Sequence, residues 1–271
     1  IMTIAYLGPK GTFTEIALAT YFSNEPVKLP KPSIEDVFQS VTDEESIYGV
    51  VPIENSIEGA VNNTLDQLLE REIYVIGEVK IPINQCLLAK NIENKEIINV
   101  YSHPQSFAQC RKWINDNLPK SNLTPVLSNS EGAIKVKSNT DACIGPSILS
   151  SYYNLDIIQT NIQDFKNNET RFLILSKSMK SIRSQSKTSI VIIPQTENKS
   201  GSLYSLLKPF SDNNINLTRI ESRPVKTKNW KYSFYIDFEG NHEDEAIKNT
   251  LNIIQRSDNE IKILGSYKPH N

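Results

Sequence analysis

Four segments place small and hydrogen-bonding residues where a strand-like run hands over to a helix-like one. Gly8-Pro-Lys-Gly-Thr-Phe-Thr14 follows an apolar stretch. Val50-Val-Pro-Ile-Glu-Asn-Ser-Ile-Glu-Gly59, Ser102-His-Pro-Gln-Ser106 and Gly145-Pro-Ser147 repeat the arrangement. Backbone N–H groups at such turns, aligned with a helix N-terminus, attract anions. Each turn alone is compatible with simple capping. Four of them suggest a cleft at the carboxyl edges of parallel sheets, holding a small acidic metabolite. A fifth segment, Asn168-Glu-Thr-Arg-Phe172, precedes the apolar run Leu173–Leu175. It reads either as a plain turn or as a site in which Arg forks a carboxylate and Thr donates a hydroxyl.

Other chemistries lack their residues. His103, His242 and His270 and the scattered Cys86, Cys110 and Cys143 assemble no histidine-rich metal site and no disulfide framework. No Walker A loop, G-x-G-x-x-G fingerprint or G-x-S-x-G elbow occurs. His103, beside a proline, fits a structural hydrogen-bonder as well as a catalyst, and Cys110 reads as a core residue.

The elements that must position these groups follow from periodicity. Strand-type runs at Thr3–Leu7, Tyr48–Ile53, Ile98–Ser102 and Ala142–Gly145 alternate with helices over about 12–22, 59–70 and 106–116, and one beginning near Ser147. Ser33-Ile-Glu-Asp36 is a capping-box start for a further helix. Such alternation predicts parallel-sheet α/β units. The stretch 176–189, with six serines and four basic residues in fourteen, reads as a linker that buries almost nothing. Beyond it, strand 189–193, helix 202–210, strand 216–224, the alternating Tyr232–Glu239, a helix through Ile247, Leu251 and Ile254, and strand 260–264 give β-α-β-β-α-β, a ferredoxin-like unit. Its antiparallel sheet, with both helices on one face, leaves the other face or an edge free and invites dimerisation.

The 271 residues suit two or three domains, with 38% apolar residues for their cores. Near-balanced charge, 29 Lys+Arg against 31 Asp+Glu, argues against nucleic acid. Apolar runs as short as Ile190–Ile193 exclude a spanning helix, and the first residues carry no secretory signal pattern, so a cytoplasmic protein off the membrane is expected.

Tyr6-Leu-Gly-Pro-Lys-Gly-Thr-Phe-Thr14, Gly49-Val-Val-Pro-Ile-Glu-Asn-Ser-Ile-Glu-Gly59, Ser102-His-Pro-Gln105 and Asn168-Glu-Thr-Arg-Phe172 resemble, in order, the signatures of the prephenate dehydratases. Ile220-Glu-Ser-Arg-Pro224 resembles the regulatory motif of their C-terminal ACT domain. The resemblance covers essentially the whole chain, and with no chorismate mutase segment ahead of residue 1 it is to the monofunctional form.

The resemblance implies an α/β catalytic region of two lobes, similar to type II periplasmic binding proteins, followed by a ferredoxin-like βαββαβ ACT domain. The expected divisions are 1–177 for catalysis (lobe one about 1–80 plus 160–177, lobe two about 81–159), a linker at 178–186 and the ACT domain at 187–271. It implies decarboxylating dehydration of prephenate to phenylpyruvate without a cofactor or metal. Thr170 matches the family's essential threonine, and Thr12, Asn55, Ser56, Glu58, Ser102, His103, Gln105, Arg171 and Phe172 are the expected substrate contacts. The titratable groups nearest the motifs are His103, Glu54 and Glu58, so the proton donor stays open among them. L-Phenylalanine is the expected effector, bound between ACT domains of a homodimer or homotetramer by Gly201, Ser202 and Leu203 of one chain and Glu221, Ser222, Arg223 and Pro224 of another. Ser202 departs from the usual alanine by one hydroxyl. The rival readings are a metabolite sensor that has lost chemistry and a dehydratase acting on arogenate.

Overall fold

The computed structural model describes residues 2–91, 96–180, 182, 186–195, 200–225 and 232–269, and three β-sheets organise these described residues. Parts of the expected 178–186 linker, and residues 196–199 ahead of the expected effector residue Gly201, lie outside the described residues. The chain opens with β1 (Thr3–Leu7), α1 (Phe13–Tyr21), β2 (Val27–Lys31), α2 (Ile34–Thr42), β3 (Tyr48–Asn55), the short β4 (Gly59–Ala60), α3 (Asn62–Glu70) and β5 (Tyr74–Pro82). Thr12 and Ser33 are the N-caps of α1 and α2, their hydroxyls accepting the N–H groups of Glu15 and Asp36. The helix expected from Gly59 begins only at Asn62, because Gly59 and Ala60 turn back to pair with Asn55 and Glu54.

A second set follows: β6 (Cys86–Ala89), β7 (Asn99–Ser102), α4 (Pro104–Gln109), α5 (Arg111–Asn117), β8 (Asn122–Pro125), α6 (Asn129–Lys135), β9 (Asp141–Gly145), α7 (Ile148–Tyr153) and β10 (Asp156–Gln159). The single helix expected over 106–116 is two, broken at Cys110 (φ −115°, ψ 16°), which is fully buried. The chain then returns to the first sheet as β11 (Glu169–Ser176).

The first sheet has the order β2-β1-β3-β11-β5, with β4 on β3, and the second the order β10-β6-β9-β7-β8. Parallel pairs join β1 to β2 and β3, and β7 to β8 and β9. Antiparallel strands complete these parallel units: β11 runs antiparallel to β3 and β5, and β6 antiparallel to β9 and β10. The chain leaves the first sheet along β5 and comes back along β11, and the two strands lie side by side in opposite senses.

The third sheet, β13-β14-β12-β15, is antiparallel throughout. It is built from β12 (Lys187–Pro194), α8 (Ser202–Asp212), β13 (Leu217–Pro224), β14 (Tyr232–Glu239), α9 (Glu245–Arg256) and β15 (Asn259–Tyr267). On one face Leu206 and Phe210 of α8 and Ile247, Leu251 and Ile254 of α9 pack over Ile190, Ile192, Ile236 and Phe238. Of the face or edge expected to be free, the face is covered. Val191, Tyr235, Leu264 and Tyr267 share one core with Val51, Val75 and Leu173 of the first sheet and Leu65 of α3. Gly265 permits the approach, since a Cβ there would stand 2.1 Å from the carbonyl oxygen of Val75. Among the described residues the edge strand β13 pairs only with β14. The polar tail of the expected linker is also inside: Lys187, Thr188 and Ser189 are buried in β12.

Candidate active site

Between the first two sheets, where β3 ends, β11 begins and α1, α4 and α6 start, lies a cleft of about 500 Å³. It is lined by Thr12, Asn55, Glu58, His103, Gln105, Thr170 and Phe172 from the expected set. Among the described residues none of its lining is lysine or arginine. The positive character of the cleft comes from neutral donors and from α1, whose first-turn N–H groups at Phe13 and Thr14 have no partner within the helix.

Thr170 stands opposite Asn55 across the β11–β3 pair. The Asn55 carboxamide is fixed at both ends. Its Oδ1 accepts the N–H groups of Ile57 (2.9 Å) and Glu58 (3.0 Å), so its Nδ2 must face Thr170, donating to Oγ1 at 2.9 Å and to Asn168 Oδ1 at 2.7 Å. A lone pair of Thr170 Oγ1 is thus occupied. Among the described residues its own hydroxyl proton has no acceptor, and it is available to the cleft.

His103 caps α4, and its Nδ1 accepts the Gln105 N–H at 3.2 Å, which leaves Nε2 to carry the ring proton. Glu58 spans the cleft mouth, accepting Gln105 Nε2 and, at 3.0 Å, Gln109 Nε2. Behind α1, Glu15 ties the lobes together. Its carboxylate accepts Gly11 N–H at 2.7 Å, Tyr152 O–H of α7 at 2.6 Å and Lys28 Nζ at 3.1 Å. Burial alone would raise its pKa, but these three donors together hold it below the usual glutamate value.

Four expectations are corrected. Arg171 is not in the cleft. Successive side chains on a strand point to opposite faces, so Thr170 and Phe172 face the cleft while Arg171 turns toward the third sheet. There its Nη2 lies 2.7 Å from Asp237 and its Nη1 3.5 Å from Glu78. Glu54 reaches that face through the register shift at Ile53, which breaks the alternation on β3, and it pairs there with Arg171 and Arg219 rather than facing the cleft. Ser56 is outside the lining, with its hydroxyl donating to Asn167 O and accepting Glu169 N–H, and serves to hold the loop before β11. Ser102 is fully buried, donating to Ile144 O and Asn129 Oδ1.

Sequence reasoning missed Gln85, Gln109 and Asn129, all in the lining, and placed Ser106 in a candidate segment without singling it out. Asn129 accepts His103 N–H at 3.0 Å and donates to Ser106 at 2.9 Å, joining α4 to α6. Its signal was present: Ser128-Asn-Ser-Glu131 has capping-box spacing, and Ser128 does accept the Glu131 N–H.

The expected effector residues lie on the third sheet. Gly201 (φ +86°) caps α8, Ser202 opens it, and Leu203 is exposed. Glu221, Ser222, Arg223 and Pro224 end β13. The Arg223 guanidinium is directed inward, with Nε and Nη2 at 2.5 and 2.7 Å from the Asp66 carboxylate on α3.

A family model described as prephenate dehydratase matches residues 4–180, and one described as ACT domain matches 189–255. A bifunctional chorismate mutase/prephenate dehydratase of Pseudomonas aeruginosa is 41% identical over 98% of this chain and 73% of its own length. A prephenate dehydratase of Methanocaldococcus jannaschii is 38% identical over 97% of each chain. Among solved structures, a prephenate dehydratase of Arthrobacter aurescens in complex with L-Phe superposes with a TM-score of 0.88 at 30% identity, covering 98% of this chain and 90% of that one. Motifs, fold and likeness over nearly the full length agree: the chain belongs to the prephenate dehydratase family and carries an ACT domain.

Proposed function

We propose that this chain is a prephenate dehydratase, a hydro-lyase that converts prephenate to phenylpyruvate, CO₂ and water in L-phenylalanine biosynthesis. The observation that carries the reading is the Thr170 hydroxyl, oriented by Asn55 with its proton free to the cleft. In the reaction the bond from the ring to its carboxylate breaks and the electron pair enters the ring. The C–O bond para to it breaks, and the departing oxygen takes up one proton to leave as water. Aromatisation drives the step, so the protein need only hold two carboxylates and stabilise the leaving oxygen. Thr170 donates to that oxygen. The α1 N-terminus and the cleft's neutral donors bind the carboxylates, and Phe172 with Pro52 and Ile83 packs the ring. His103 and Glu58 are the titratable groups of the lining from which the proton can come.

The ACT domain supports a second part of the reading: L-phenylalanine is the effector, bound at the β13 edge and the start of α8 of paired chains, a homodimer or homotetramer. Steady-state turnover of prephenate and of arogenate by the purified chain, with and without phenylalanine, tests both parts. Prephenate turnover suppressed by phenylalanine is expected. Preference for arogenate, or no turnover of either, would contradict the first part.

A further inference from the structure

The register that sets Thr170 beside Asn55 on the cleft face sets Arg171 beside Glu54 on the opposite face, and that face is closed by the third sheet. Six charged groups meet there. Arg171 contacts Asp237 (2.7 Å), Glu54 (3.3 Å) and Glu78 (3.5 Å). Lys187 lies 3.0 Å from Glu78 and 3.7 Å from Asp237, and Arg219 Nε lies 2.6 Å from Glu54 Oε2. Three cations face three carboxylates, so the cluster is neutral. Its members are buried except Glu54, a third of whose side chain is exposed.

Arg219, Lys187 and Asp237 belong to the regulatory sheet; Glu54, Glu78 and Arg171 belong to the catalytic one. Glu54 is the backbone neighbour of Asn55, the residue that orients Thr170. Arg219 lies on β13, two residues before Glu221, in the strand that carries the expected effector segment. The β3–β11 ladder is itself irregular at this point: Arg171 pairs with Glu54 but Phe172 with Pro52. A bulge weakens the local backbone pairing and leaves side chains to fix the strand end.

We propose that Glu54 is a positioning residue for Thr170, held by Arg219, so that the regulatory domain sets the geometry of the Thr170–Asn55 pair from the far face of the sheet. The inference rests on the reading of the chain as a prephenate dehydratase. Losing the Arg219–Glu54 contact frees the end of β3 and lets the Asn55 carboxamide shift. Displacement of a reacting group by about 1 Å costs up to about 10²-fold in rate, whereas substrate held by α1 and the second lobe stays bound.

The test uses the full-length chain as wild type, Arg219→Met, Arg219→Lys, Glu54→Gln, the Arg219→Met/Glu54→Gln double variant, and Lys262→Met as a control. Lys262 bridges the same interface by donating to the carbonyls of Leu69 and Arg71, remote from β3. Arg219→Met and Glu54→Gln are each expected to lower kcat about tenfold with KM within about twofold, and the double variant no further than Glu54→Gln, which already loses the Arg219 contact along with the longer one to Arg171. Arg219→Lys keeps a single ion contact and should recover at least about half of kcat. Lys262→Met should keep the wild-type value. Hydrogen exchange at residues 53–56 and 168–171 should quicken at least about fivefold in Arg219→Met and not in Lys262→Met. Unchanged kcat in Arg219→Met, multiplicative losses in the double variant, or an equal loss in Lys262→Met would overturn the proposal. A wild-type chain inactive on prephenate would sink the functional reading instead. The exchange data would then decide the positioning role alone: quickened exchange upholds it, unchanged exchange overturns it.

Discussion

At Thr170 the chemistry depends on one hydroxyl and on the amide that aims it. Among the described residues Asn55 is the donor to Thr170 Oγ1, and its Oδ1 is committed to the turn at Ile57 and Glu58. Asn55→Ala is therefore expected to lower kcat by about 10- to 100-fold while the far-ultraviolet circular dichroism stays that of wild type. An undiminished kcat would show that Thr170 orients itself. Arg171 calls for a different measurement. Its removal leaves the Asp237 and Glu78 carboxylates buried with Lys187 as their remaining cation, and breaking a buried ion pair from one side costs about 3–5 kcal/mol. Urea unfolding of Arg171→Leu should show a loss of that order. The Asp237 carboxyl is resisted by its burial but held below the usual aspartate range by Arg171, Lys187 and Ser189. Its folded pKa is depressed, so its contribution is present above the unfolded value of about 3.9 and fades as pH falls below it. The deficit of Arg171→Leu should therefore shrink below about pH 4.

At the scale of elements, the two lobes meet through the turn ahead of α1. Gly11 has φ +87°, and a Cβ there would stand 2.7 Å from Leu149 Cδ2 of α7 and 3.0 Å from Ser130 Oγ of α6. Gly11→Ala meets a left-handed backbone cost of about 1–2 kcal/mol and pushes the second lobe off the first. It should raise KM for prephenate more than it lowers kcat, because the cleft widens while Thr170 stays on β11. A variant with wild-type KM would show that the lobes close without this contact. Much of this architecture was legible. Thr12 and Ser33 announced their helices, and the alternation Tyr232–Glu239 announced β14. The five motifs located most of the cleft lining. The face on which Arg171 falls was not legible, since alternation on β11 gives two faces but not which is the cleft. The buried ends of Lys187 and Ser189 were hidden in a stretch with linker composition, because their partners Glu78, Asp237 and Tyr267 are remote in sequence.

Across the whole molecule, the catalytic and regulatory sheets share one apolar core, so they are expected to unfold together in a single transition rather than as separate domains. Two transitions by calorimetry would contradict that. The cysteines report the same integrity. Burial pushes the thiols of Cys110 and Cys143 up to about 12. With folded values above the unfolded value of about 8.5, their contribution is intact below that pH and declines as pH rises toward 12, by up to about 1.4 kcal/mol per unit for each thiol. Stability measured from pH 8 to 10 should fall accordingly, and neither thiol should react with a disulfide reagent at pH 8 before unfolding.

The most direct measurement follows phenylpyruvate formation from prephenate by wild type and Thr170→Ala, prepared side by side and matched in circular dichroism. The account predicts turnover by wild type and a kcat lower by about 10²–10³ in the variant, the usual cost of one preorganised donor. A folded Thr170→Ala chain with wild-type kcat, or a wild-type chain that yields no phenylpyruvate, would contradict it.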